Sequence, residues 1–278
     1  MILNDQATGL RLMANQLKAT KPQTIQNSGI QNRIIAITSG KGGVGKTNIT
    51  ANLALALSVQ NKKVSIIDAD LGLANIDVIL KLKPKYNLEH VIAGEKKLSE
   101  IFVKGPAGLT IIPASPGRTS MASLSEIDRT ILIRDLLKAS DNFDLTFIDT
   151  AAGISSSVID FVISAQEIFV VTTPEPTAIT DAYAMIKVIS QKKETSIGIL
   201  VNMVANQYQA QDVAERIAIA ANRFINAKTY FVGYILKDQA VSDAVSSQQP
   251  LIFKYPTSDA SQCINFIANN IISGSYVR

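Results

Sequence analysis

The sequence predicts an α/β fold: a doubly wound, mostly parallel sheet covered by helices on both faces. Three observations lead there. From Arg33 onward, short apolar runs alternate with helical patterns, as strands buried on both faces alternate with crossover helices. A glycine-rich stretch, Ser39-Gly40-Lys41-Gly42-Gly43-Val44-Gly45-Lys46-Thr47, joins the first apolar run to the first helical pattern. Two later apolar runs end in aspartates, at Asp68-Ala69-Asp70 and at Asp149. In open sheets of this kind ligands lie beyond the carboxyl ends of the strands, so these positions are candidate site residues.

The composition is compatible with that fold and removes several functions. With 278 residues, 47% hydrophobic and 18% charged, the chain can bury a core, and one large domain is the simplest division. No apolar run approaches the length of a membrane-spanning helix, and the N-terminus lacks the pattern of a secretory signal. The single cysteine, Cys263, excludes an internal disulfide and fits a reducing cytoplasm. His90 is the only histidine, so a histidine metal cluster or a Ser-His-Asp triad is not credible. The net charge of +4 permits contact with nucleic acid or anionic lipid without requiring either.

Residues 1–18 read as a short amphipathic helix, with Leu3, Ala7, Leu10, Ala14 and Leu17 at helical spacing. Residues 19–32 turn polar and read as a flexible linker, leaving 33–278 as the main domain. Such a helix is marginal alone and needs a surface to cover its apolar stripe, either its own domain or a partner.

Strands are expected near 33–38, 63–68, 109–112, 144–148, 167–172, 196–202 and 230–235. Helices are expected near 46–59, 74–81, 87–93, 120–139, 156–164, 179–191, 207–226, 239–246 and 258–272.

The Gly40–Thr47 stretch fits G-x-x-x-x-G-K-[ST], a phosphate cradle. Its amides from Gly40, Lys41, Gly42, Gly43, Val44, Gly45, Lys46, Thr47 and Asn48 stand at a helix N-terminus, where backbone N–H groups and the helix dipole attract an anion. Lys46 supplies a point charge for β- and γ-phosphates, and the Thr47 hydroxyl reaches a Mg²⁺ ion. Lys41 is a second lysine in the same loop: either a solvated surface group or one that reaches a nucleotide held by another copy of the chain.

Lys-Gly-Gly-Val-Gly-Lys-Thr resembles the deviant Walker A sequence of MinD/ParA-type ATPases, a branch of P-loop NTPases. The resemblance implies ATP/ADP and Mg²⁺ as cofactors, slow ATP hydrolysis, and a homodimer with ATP that is monomeric with ADP or without nucleotide. It also implies that Lys41 acts in trans, as a catalytic residue alongside Lys46. Asp68-Ala69-Asp70 is similar to that family's switch I, whose second aspartate positions the hydrolytic water. That residue is Asp70 here, with Asp68 assigned to the metal. A pair of solvated turn acids is the plainer reading of the same residues. Asp149 ends an apolar strand as a Walker B acid does and is placed on Mg²⁺ with Thr47, and Gly153 follows in switch II. Asn202 ends another strand; its amide reads the adenine edge in relatives, a cap being the alternative. Leu236 stands where relatives carry a proline against the base.

Asp5-Gln6-Ala7-Thr8-Gly9-Leu10-Arg11 is similar to the DQAxxLR element of the FlhG (FleN, YlxH) branch of that family, which regulates flagellar number. The likeness implies that Asp5, Gln6, Ala7, Leu10 and Arg11 stimulate an FlhF-type GTPase. A flagellar transcription factor or ring component is a further implied partner, and the cell pole, at the inner face of the membrane, an implied location. A ParA-type partition ATPase binding DNA, a MinD-type division-site regulator and a scaffold that only binds nucleotide share the cradle. An iron–sulfur reductase needs bridging cysteines that one cysteine does not provide. At the C-terminus, Cys263, Ile264, Ile267 and Ile271 form a helical stripe that packs most simply on the sheet. The tail Ser273–Arg278, with one basic residue, is too weakly charged to anchor at a membrane by itself.

Overall fold

The computed structural model describes residues 32–70, 75–114 and 124–276. The chain runs β1 (Arg33–Ser39), α1 (Lys46–Val59), β2 (Val64–Ala69), α2 (Ile76–Ile79), α3 (Leu88–Ile92), β3 (Val103–Lys104), β4 (Thr110–Ile112), α4 (Glu126–Ser140) and β5 (Leu145–Ala152). It continues through α5 (Ser156–Ser164), β6 (Glu167–Thr172), α6 (Pro176–Lys192), β7 (Ile197–Val204), α7 (Gln207–Ile225) and β8 (Thr229–Leu236). Three helices close it: α8 (Gln239–Ser246), α9 (Leu251–Lys254) and α10 (Asp259–Ser273).

Among the described residues, eight strands form one sheet in the order β3-β4-β2-β5-β1-β6-β7-β8. Only β3 runs antiparallel to its neighbour; the other pairs are parallel. The strands are buried on both faces, yet their side chains still alternate. Ile35 and Ile37 of β1 pack with α1, while Ile34 and Ala36 pack with Leu132, Leu136 and Phe161 of α4 and α5. On β6, Phe169 and Val171 face the α1 side, and Ile168 and Val170 face α5, α6 and α7. The expected two-faced, mostly parallel α/β sheet is the observed one.

α1 is buried nearly all round, with Ile49, Leu53, Leu55 and Leu57 at 2% exposure or less. A helix apolar on every side needs cover on every side. The sheet supplies one side, and α10 supplies another through Ile264, Ile267 and Ile271. The C-terminal stripe is therefore spent on the fold. Beyond α10, Tyr276 seats its ring against Phe169 and Tyr230, with centroids 5.8 and 5.4 Å away. Arg33 closes the same end of the sheet, pairing with Glu167 at 2.7 Å and donating to the Ile271 carbonyl.

The departures from expectation lie at element ends. α6 begins at Pro176 rather than near 179, because proline is pre-set for the first helical turn. α4 is described from Glu126, with Ser125 as its cap. The two-residue β3 and the four-residue α9 are too short to leave a periodic signal. β5 runs past Ile148 to Ala152 because β1 and β2 keep pairing with it. The amphipathic segment 1–18 and all but the last residue of the linker 19–32 lie outside the described residues, as do Asp5, Gln6, Ala7, Leu10 and Arg11.

Candidate phosphate-binding site

β1 is the point at which the winding of the sheet reverses, since the chain leaves it toward β5 and β2 on one side and returns to β6 on the other. A crevice at the carboxyl end of such a strand is where α/β folds hold ligands. The loop Gly40–Gly45 fills that position and feeds directly into α1. The helix opens on Gly45, held at φ 91°, with no side-chain cap and no acid in its first turn. Its first N–H groups thus lack the side-chain acceptor that other helices of this chain use, such as Ser125 on α4 or Asn206 on α7. That arrangement favours an anion.

Lys46 is buried, 8% exposed, and burial lowers its pKa while Asp149 and Asp70 oppose that shift. Asp68 and Asp149 face each other across β2 and β5 in register. Both are buried, at 2% and 0% exposure. Burial is the main reason each carboxyl is raised, Asp149 to about 6, and each is pushed further by neighbouring acids. The hydroxyls of Thr47 and Thr50 and the charge of Lys46 pull Asp149 the other way.

The two oxygens of Asp149 differ. Oδ1 accepts from the Thr50 hydroxyl at 2.9 Å, whereas Oδ2 is buried without a hydrogen-bond partner. A buried carboxylate oxygen with no donor is costly unless a cation or ordered water completes it. With Thr47 beside it, the residues present fit a magnesium ion. Asp70 lies at the rim, half-buried, and its N–H donates to Asp68 Oδ1 at 3.1 Å.

Gly153 donates its N–H to the Ser39 carbonyl at 2.9 Å, so this amide is held by β1 here. Lys41 turns to its own chain: its ammonium contacts Glu175 Oε2 at 2.7 Å and the Thr177 hydroxyl at 2.9 Å. Gly40 lies so close to α6 that a Cβ there would fall 2.1 Å from the Asp181 carbonyl oxygen. Asn202 is buried against the cradle, its amide donating to the Val44 carbonyl at 2.8 Å. Gly42 and Gly43 are exposed, and Asn48 accepts from Asn52 at 2.9 Å.

The fold thus brings Lys46, Thr47, Asp68, Asp70, Asp149, Gly153 and Asn202 around one loop. Sequence reasoning missed Thr50, Ser39, Thr177 and the Asp181 backbone. Of these only Thr50 carried a signal, standing one helical turn after Lys46 with its hydroxyl also bonded to the Lys46 carbonyl. His90 is structural: its Nδ1 lies 2.9 Å from Asn87 Oδ1 at the start of α3. No described helix is long and apolar enough to cross a membrane.

A family model for ParA, described as NUBPL iron-transfer P-loop NTPase, matches residues 30–272. The chain is 41% identical over 242 residues to the antiactivator FleN of Pseudomonas aeruginosa, covering 87% of this chain and 86% of FleN. It is 35% identical over 272 residues to the flagellum site-determining protein YlxH of Helicobacter pylori, covering 98% of this chain and 91% of YlxH. Among solved structures, the septum site-determining protein MinD of Pyrococcus horikoshii, complexed with Mg-ADP, superposes with a TM-score of 0.73 at 25% identity. That match covers 86% of this chain and 95% of the MinD chain.

Proposed function

The chain belongs to the ParA/MinD family of P-loop NTPases, and on that footing we propose that it is a magnesium-dependent ATPase switch that sets flagellar number and placement. ATP closes two copies face to face, and hydrolysis parts them. The segment carrying Asp5, Gln6, Ala7, Leu10 and Arg11 stimulates an FlhF-type GTPase. The observation that carries the reading is the likeness to a flagellum site-determining protein, YlxH, and to the antiactivator FleN, combined with that segment ahead of the ATPase domain.

In this reading the loop amides and Lys46 would hold the phosphates, and Thr47, Asp149 and Asp68 would hold magnesium. Magnesium, when bound, neutralises charge on the β- and γ-phosphates. Asp70 orients the attacking water and accepts its proton. Gly153 gives up the Ser39 carbonyl to face the γ-phosphate and takes it back when that phosphate leaves. Lys41 exchanges Glu175 and Thr177 for phosphate on the partner. Turnover is slow, because a switch needs its ATP state to persist. The protein works in the cytoplasm, with weak contact at the inner face of the membrane near the pole, and its ATP dimer presents a surface to a flagellar transcription factor or ring component.

Removing residues 1–20 tests the partner assignment. The truncated protein should still bind and hydrolyse ATP but fail to retain or stimulate an FlhF-type GTPase in a pull-down with purified proteins. Equal stimulation by the truncated and full chains would overturn it.

A further inference from the structure

Asn202 occupies an irregularity in β7 that serves the cradle. Val201 pairs with Tyr234, but the next paired residue is Val204 opposite Leu236, so β7 carries one residue more than β8 over this interval. Val201 and Val204 both pack into the α6–α7 side of the core. The extra residue is absorbed at Met203, whose φ of 58° lies in the left-handed region. A non-glycine residue there is strained, and such outliers gather at functional sites.

The irregularity engages both ends of the Asn202 amide. Its oxygen accepts the Met203 N–H at 2.9 Å, and its nitrogen donates to the Val44 carbonyl at 2.8 Å. The residue is 7% exposed. Gly45 makes this approach possible, since a Cβ there would stand 2.5 Å from Asn202 Nδ2. A trans peptide is planar with its C=O and N–H opposed. A Val44 carbonyl held toward Asn202 therefore turns the Gly45 N–H the other way, which in a phosphate loop is the anion side.

We propose that Asn202 is a positioning residue of the phosphate cradle. Its amide presets the Val44–Gly45 peptide for an anion, so its contribution to binding does not depend on the base. The inference rests on the nucleotide-binding reading above and differs from the adenine contact expected from the sequence.

The test compares magnesium ATP with magnesium tripolyphosphate, which has no base, by calorimetry on the full chain. Asn202→Ala removes the amide, and Asn202→Asp keeps its shape but cannot donate to a carbonyl. Asn202→Ala should lose affinity for both ligands by the same factor, about ten-fold, the loss of one buried hydrogen bond. Asn202→Asp, which also sets a negative charge beside the cradle, should lose more, again equally for both. Retained tripolyphosphate affinity with weakened ATP would make Asn202 a base reader and overturn the proposal. Unchanged affinity for both ligands would overturn it as well, as would wild-type protein that binds ATP but not tripolyphosphate. Wild-type protein that binds neither would refute the nucleotide site itself. Unfolding midpoints measured alongside confirm that the variants compared are folded.

Discussion

The ammonium of Lys41 lies 2.7 Å from Glu175 Oε2 in the same chain, so the loop lysine is tied to the start of α6. The pair is partly open to solvent, 37% exposed on the lysine and 66% on the glutamate. Exposed pairs of this kind contribute about 0–1 kcal/mol. A phosphate group bearing several charges outcompetes such a contact, so this pair would not stop the lysine from taking the proposed trans role.

Replacing Lys41 by alanine should abolish the ATP-dependent dimer. Lys46 and the loop amides remain, so monomer affinity for ATP should change by no more than about three-fold, less than the loss of a full charge-assisted contact. Light scattering with and without ATP, with calorimetry on the monomer, checks both parts. An intact ATP dimer in this variant would refute the trans role.

Asp70→Ala should separate binding from hydrolysis. Asp70 is at the rim while Asp149 and Lys46 are buried, so its removal leaves the cradle and metal site in place. Hydrolysis should fall at least about a hundred-fold, the usual contribution of a positioned acid–base group. The protein should accumulate as an ATP-bound dimer. A variant that stays monomeric with ATP, or turns over at the wild-type rate, would contradict the assignment.

Asp149 predicts a pH dependence of stability without metal. Its carboxyl is raised from an ordinary 3.8 to about 6, so the folded chain binds this proton more tightly than the unfolded chain. Stability should therefore increase as pH falls from about 6 toward 4 and level off above about 6. At neutral pH the buried charge costs about 3 kcal/mol. Asp149→Asn should recover much of that and raise the melting temperature by about 5–10 °C in the presence of a chelator. The same variant should lose the gain in ATP affinity that magnesium gives. Scanning calorimetry between pH 5 and 8 reads the first effect and titration calorimetry the second; a lower melting temperature at pH 7.5 would count against the buried-charge account.

Much of this was legible in the chain alone because strong local signals stand at fixed spacing. The loop Gly40–Thr47 carries its own backbone requirement, and α1 was readable to the residue because Gly45 and Lys46 mark its start. The alternation of buried runs and amphipathic helices determined the parallel sheet, and Asp149 stood out as an acid ending an apolar strand. Short pieces such as β3 and α9 escaped because two to four residues define no period.

Sequence alone determined which residues form the glycine-rich loop and which acids end the neighbouring strands, since those follow from neighbours along the chain. Only the tertiary structure decided where their bonds go. Lys41 meets Glu175, Gly153 meets Ser39, and Asn202 meets Val44 across separations of 134, 114 and 158 residues. Such pairings depend on strand order and on one extra residue in β7. The physical reason is that a hydrogen bond is directional and short-ranged, so its partner is chosen by the packing of the whole sheet and cannot be read from spacing.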